Sequence, residues 1–161
     1  WPAHAALLKQ RPLAWLDTAA SAFALAVQHR PSAFTLRKVF IKEFLQAGWI
    51  ADAVRREGDV SHLHGHFCHG VATITWFASR LSGLPFSFTA HAKDIYQAEL
   101  NPGRLLERKM GAARFVATCT CAVPAQYPIC ALSPAIVSLP VPAAMLSAPT
   151  PPTTTLSPPP T

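Results

Sequence analysis

From Phe115 to Thr161 this 161-residue chain carries no charged side chain: all 14 lysines and arginines and all 8 aspartates and glutamates lie between Lys9 and Arg114. Eleven of the 16 prolines and three of the four cysteines also fall between Cys119 and the end. Proline at that density interrupts every candidate helix or strand, because it lacks an amide donor and fixes its own φ. Whatever core the chain builds must therefore come from residues 1–118, a length that suits one domain and no more. Residues 119–161 are expected to be an unstructured Pro/Ala/Thr-rich tail. The abrupt switch to Ala, Pro, Cys, Ser and Thr resembles translation out of frame, and the opening on Trp1 points to a start inside a longer reading frame.

The net charge of +6 belongs wholly to the charged part. Such an excess suits an anionic membrane surface or another polyanion. The basic residues are nevertheless scattered in ones and twos (Arg37 and Lys38, Arg55 and Arg56, Arg108 and Lys109) with acids between them, which is the pattern of solvated helix faces. No interleaving of basic and aromatic residues speaks for nucleic acid. Four cysteines in no paired framework, seven histidines and no glycosylation triplet fit a reducing, cytoplasmic setting. Pro12 to Val27 is apolar and holds Ala-Leu-Ala at 24–26, as a signal peptide would, but Asp17 interrupts it and an amphipathic helix is the better reading.

Periodicity divides the first 118 residues in two. Residues 3–29 read as helix, in two pieces meeting at Pro12, which suits a first helical turn. A second helix is expected from Ser32 to Glu57, with Leu36, Phe40, Phe44, Ala47, Ala51 and Val54 on one face and Gly58 as its stop. Beyond residue 58 the texture changes to strand (Val60–Phe67), helix (Gly70–Ser82, closed by Gly83), strand (Pro85–Thr89), helix (Asn101 to about Ala113) and strand (Phe115–Thr118). Such alternation with short links is the signature of a parallel sheet joined by crossover helices. The expected class is therefore α/β: a partial Rossmann-like parallel sheet over residues 59–118, with residues 1–58 helical.

Two groups of residues could carry chemistry. His62, His64, His66 and Cys68 alternate, so on a strand they share one face, with His69 next door. Imidazoles so spaced can hold zinc, and His91 and Asp94 are the donors on the next strand end, which keeps a metal-dependent hydrolase open as an alternative. The second group is Thr89-Ala-His-Ala-Lys-Asp-Ile-Tyr96, directly after a strand. Ligands of parallel sheets sit outside the carboxyl ends of the strands, and both groups fall on that rim. There His91 can donate to a hydroxyl, with Lys93 or Asp94 orienting it or binding sugar hydroxyls and His64 and His66 lining the cleft. No phosphate-binding loop, dinucleotide fingerprint or nucleophile elbow occurs, and Cys119-x-Cys121 has the wrong spacing for a zinc ribbon or redox pair.

His62-Leu-His-Gly-His-Phe67, the run from Ala72 to Pro85, Phe86-Ser-Phe-Thr-Ala-His-Ala-Lys-Asp-Ile-Tyr96 and Ala113-Arg-Phe-Val-Ala-Thr118 together resemble the N-terminal domain of family 4 glycosyltransferases, enzymes with two Rossmann-like domains (the GT-B fold), among them those of bacterial exopolysaccharide or colanic acid assembly. The resemblance covers His62 to Thr118 specifically and residues 1–58 only diffusely. It implies metal-independent transfer of a sugar, with retention, from a nucleotide sugar to a glycan or lipid-linked acceptor, with no cofactor. It assigns His91 to the transferred sugar as the catalytic residue, and His64 or His66 and Asp94 to the cleft lining, while Lys93 joins the substrate-binding candidates from its place after the strand. It also implies that the opening strand and the donor domain are missing, so that this piece alone would be inactive and poorly soluble. A cytoplasmic site, peripheral at the inner membrane face, follows from the same likeness, and a non-enzymatic membrane-docking module remains the third reading.

Overall fold

The computed structural model describes residues 1–30, 32, 35–91, 94, 95, 97, 99–118 and, as backbone, 136–138. Lys93, the Cys119-x-Cys121 pair and the rest of the proline-rich tail apart from 136–138 lie outside the described residues.

Pro12 does divide the first helical stretch. Helix α1 spans Pro2–Gln10 and α2 spans Pro12–Gln28, each with proline in its first turn. Helix α3, Val39–Glu57, is shorter than the spacing predicts: Ser32 instead pairs with Thr35 in an isolated bridge, and Leu36 lies before the helix and is exposed. Its apolar stripe of Phe40, Phe44, Ala47 and Ala51 is buried, and Gly58 ends it in the left-handed region at φ 81°. Small residues let these helices approach closely: Ala22 and Ala26 of α2 and Ala47 and Ala51 of α3 are fully buried. At Gly48 any Cβ would overlap the ring of His4. That ring accepts a hydrogen bond from Trp15 Nε1 at Nδ1 (3.0 Å), so its proton sits on Nε2 and is donated to the Leu45 carbonyl at 3.1 Å.

Strand β1 is Leu63–His66, α4 is Gly70–Ser82, β2 is Phe86–Ala90, α5 is Leu105–Ala112 and β3 is Val116–Thr118. All strands run parallel in the order β1-β2-β3, and a fourth, β4 at Ile136–Ser138, pairs with β3. The chain is thus mixed α/β with helices flanking a small parallel sheet, as its alternating pattern predicts. β4 corrects the expectation that no element follows residue 118: Ile-Val-Ser is too short a run, with prolines on both sides, for periodicity to reveal it. Helix α5 starts at Leu105, with Arg104 before it, and not at Asn101, whose side chain is engaged elsewhere.

Side-chain alternation gives the sheet two unlike faces. Leu63 and Gly65 align with Phe86 and Phe88 and face α4, where Phe77, Phe86 and Phe88 are almost wholly buried. Each such ring contributes about 1.5–3 kcal/mol through loss of contact with water. His64 and His66 align with Ser87 and Thr89 on the opposite face. Helix α4 in turn packs on α3 and α2, and α3 on α1, which completes the core.

Gly65 fixes the distance between β1 and α4, since a Cβ there would lie 2.7 Å from Thr75 Oγ1. Gly65→Ala is expected to lower stability by about 1–3 kcal/mol through this overpacking, whereas Gly111→Ala, where a Cβ meets nothing within 4 Å, stabilises or is neutral. Urea denaturation of the two variants measures the difference.

Candidate functional site at the carboxyl rim of the sheet

β1 and β2 end side by side, and each passes a histidine to the rim. His66 is the last residue of β1 and His91 directly follows β2. Their Nε2 atoms lie 3.2 Å apart, with ring centroids 4.8 Å apart. Phe67 stands between the histidines of this rim, its ring 4.7 Å from that of His66, 5.1 Å from His91 and 5.6 Å from His69. The Phe67 backbone is left-handed at φ 91°, an outlier for a bulky residue. Its amide donates to the Thr89 carbonyl at 3.0 Å, which holds the turn in register with β2.

The turn stays in that conformation because the chain beneath it is clamped. Lys109 of α5 is fully buried, and its Nζ donates among the carbonyls of Cys68 (2.6 Å) and His69 (3.2 Å), Asn101 Oδ1 (2.5 Å) and Thr73 Oγ1 (3.3 Å). Asn101 passes the linkage on by donating to the Asp94 carbonyl at 3.3 Å, and Asp94 accepts from the Cys68 amide at 3.3 Å. The loop after β1, the loop after β2 and helices α4 and α5 thus meet at one ammonium group. Burial drives the Lys109 pKa down to about 8, against the pull of Cys68, Glu43 and Asp94. Burial also pushes the Cys68 thiol up to about 11, so it is inert packing, not a nucleophile.

The residues singled out in the sequence divide between rim and framework. His66 and His91 come together at the rim. His64 lies one step inward, its Nδ1 2.7 Å from Ser87 Oγ and its Nε2 3.0 Å from Thr89 Oγ1, and burial followed by the neighbouring His62 and His66 lowers its pKa, so it is neutral. His62 shares Ser87 Oγ at 2.8 Å and stacks on Phe115 at 5.7 Å. Both imidazoles are therefore committed to hydroxyls, and the strand does not aim three rings at one centre. Among the described residues no three His, Cys, Asp or Glu side chains are placed to hold a metal ion. Asp94 is buried and turned toward Cys68, with His69 Nε2 3.8 Å from its other oxygen. It supports the rim from below, its carboxylate buried between the Cys68 amide and His69.

Lys109, Asn101 and Phe67 were not among the expected site residues. Lys109 stands four residues after the buried Leu105, a spacing that places both on one helix face. That signal was present, but adjacent Arg108 and Lys109 look like a solvated pair. Glu43 is a second exception to the rule of exposed charges: burial raises its pKa to about 7, opposed by Lys109, Arg37 and Lys42, and its Oε2 has no hydrogen-bond partner among the described residues.

Comparison of the chain with protein-family models, with curated proteins and with solved structures finds no match.

Two outcomes follow from the clamp. Lys109→Met leaves the Cys68 carbonyl and the Asn101 amide oxygen without the Lys109 donor, and is expected to lower stability by about 1–3 kcal/mol, with the His66 and His91 ring signals moving in the proton NMR spectrum. Stability should also pass through a minimum between about pH 7 and 8. From pH 4.5 to about 7 the folded chain keeps the Glu43 proton that the unfolded chain has released, so stability falls as pH rises. From about 8 to 10.5 the unfolded chain keeps the Lys109 proton that the folded chain has released, so stability rises. Denaturation midpoints across that range check both signs, with Glu43→Gln removing the acid arm and, because the lost carboxylate no longer holds the Lys109 pKa up, starting the alkaline arm at lower pH.

Proposed function

We propose that the chain forms the acceptor-facing half of the cleft of a retaining glycosyltransferase with the GT-B architecture, its Rossmann-like sheet presenting His91 to the transferred sugar and His66 and Phe67 as the adjoining wall. The observation that carries this reading is the His66–His91 pair at the carboxyl rim, 3.2 Å between Nε2 atoms and flanked by the 40% exposed ring of Phe67. Imidazoles beside an exposed aromatic face suit a carbohydrate: the rings donate to or accept from hydroxyls, and the phenyl ring covers the apolar face of a pyranose. Two of the segments that resemble family 4 glycosyltransferases, His62–Phe67 and the one that opens Phe86-Ser-Phe-Thr-Ala-His91, supply the residues of this rim.

In this role His91 hydrogen-bonds the donor sugar where charge develops as the glycosidic bond breaks, and the clamped turn holds it there without reorganisation. Asp94, buried against the Cys68 amide, acts through the loop it braces. This half-cleft acts with a nucleotide-sugar domain outside the described residues, and the donor is a substrate, with no cofactor required. No helix of the described residues is long and apolar enough to cross a membrane. The exposed Leu13, Leu16 and Phe23 of α2, together with the +6 charge, support docking at an anionic cytoplasmic membrane face where lipid-linked acceptors lie.

The test is titration of the chain with a panel of nucleotide sugars and oligosaccharides while the histidine ring signals are followed by NMR. Saturable shifts of His66 and His91 are expected, with affinity at least about tenfold weaker in His91→Ala, the equivalent of one hydrogen bond of about 1.4 kcal/mol. Binding that leaves both rings unmoved, or that survives His91→Ala unchanged, removes the assignment.

A further inference from the structure

We infer that His66 and His91 form a two-imidazole site for a divalent transition-metal ion of the zinc, nickel and copper class, built across two neighbouring strand ends and not along the His62-x-His64-x-His66 run. A tetrahedral ion with metal–nitrogen bonds of about 2.0–2.1 Å holds two ligand nitrogens about 3.3–3.4 Å apart. The Nε2···Nε2 separation is 3.2 Å. The pair therefore stands at the bite of such an ion already, before any side chain moves.

Three features favour this pair over the other histidines. His66 and His91 come from different strand ends, so the bite is fixed by the β1–β2 register, His66 against Thr89, and by the Phe67 amide bond to the Thr89 carbonyl. His62 and His64 point their ring nitrogens at Ser87 and Thr89. His69 accepts from the Gly70 amide through Nδ1 at 2.8 Å and turns Nε2 toward Asp94. It caps α4 and is no third ligand. Water completes the coordination shell, which leaves positions open for a ligand oxygen. Imidazole donors select zinc, copper and nickel over magnesium and calcium, which take oxygen.

Only coordinate bonds form. In the neutral pair one Nε2 donates its proton to the other, and the ion takes the place of that proton, which moves to Nδ1 of its own ring. No charge is lost from either side chain. On the glycosyltransferase reading the ion and the sugar compete for His91, but metal binding itself does not rest on that reading, because its measurement needs no carbohydrate.

The experiment is calorimetric titration of the full chain with zinc chloride and with nickel chloride, alongside zinc-edge X-ray absorption of the loaded protein. One ion per chain is expected, bound at least about tenfold more weakly in His66→Gln and in His91→Gln, a loss no smaller than that from disturbing an outer-sphere partner. His69→Gln and His62→Gln should bind within about twofold of the parent. The absorption spectrum of the unsubstituted protein should report two imidazole nitrogens with light oxygen scatterers and no sulfur, a readout that survives if a variant fails to fold. Absence of saturable binding, equal affinity in the His66 and His91 variants, or a sulfur shell from the cysteines would each overturn the proposal.

Discussion

A single buried ammonium group holds the working end of this fold together. Lys109 reaches from α5 to the carbonyls that follow β1, to the Asn101 side chain beyond β2 and to the first turn of α4. Burying an ammonium is expensive unless every proton finds an acceptor. Here the acceptors come from three separate stretches of chain, so the group is satisfied only when all three are in place. The Cys68 carbonyl, where β1 gives way to α4, finds its donor in the same atom. His66 and His91 make no hydrogen bond to Lys109, yet the turns that carry them are braced by the groups it holds.

The two faces of the sheet solve different problems. One is packed with phenylalanine against α4, and Gly65 sets the spacing. The other is a ladder of imidazoles and hydroxyls, His62 and His64 against Ser87 and Thr89, edged by Phe115. His62 and His64 both bond hydroxyls on that face, and burial lowers the pKa of His64. Only where β1 and β2 end does the ladder release its last ring toward a second one from the neighbouring strand.

Much of the architecture was legible in the order of residues because it rests on local rules. The period-2 run at His62–Phe67, the helical spacing from Gly70 to Ser82 and the stop at Gly83 required no knowledge of the third dimension. The meeting of His66 and His91 at one rim was foreseeable from strand-helix-strand order alone, since parallel strands end on the same side. What escaped were contacts between residues far apart in the chain. Lys109 and Cys68 are 41 positions apart, and nothing in either neighbourhood marks the pairing. Asp94 lies in a segment rich in polar residues, which suggests a ligand-binding group, whereas the Cys68 amide after β1 draws its carboxylate inward. The three-residue β4 gave no period to detect.

Phe67 shows where the demands of folding and of recognition part company. A left-handed φ of 91° on a bulky residue carries a strain of about 1–3 kcal/mol that glycine would relieve. Glycine would also strip the rim of the ring that touches His66, His69 and His91. The sturdiest version of this turn is thus a blind one, and the chain keeps its aromatic wall by tolerating a bent backbone at the spot where a ligand would first arrive.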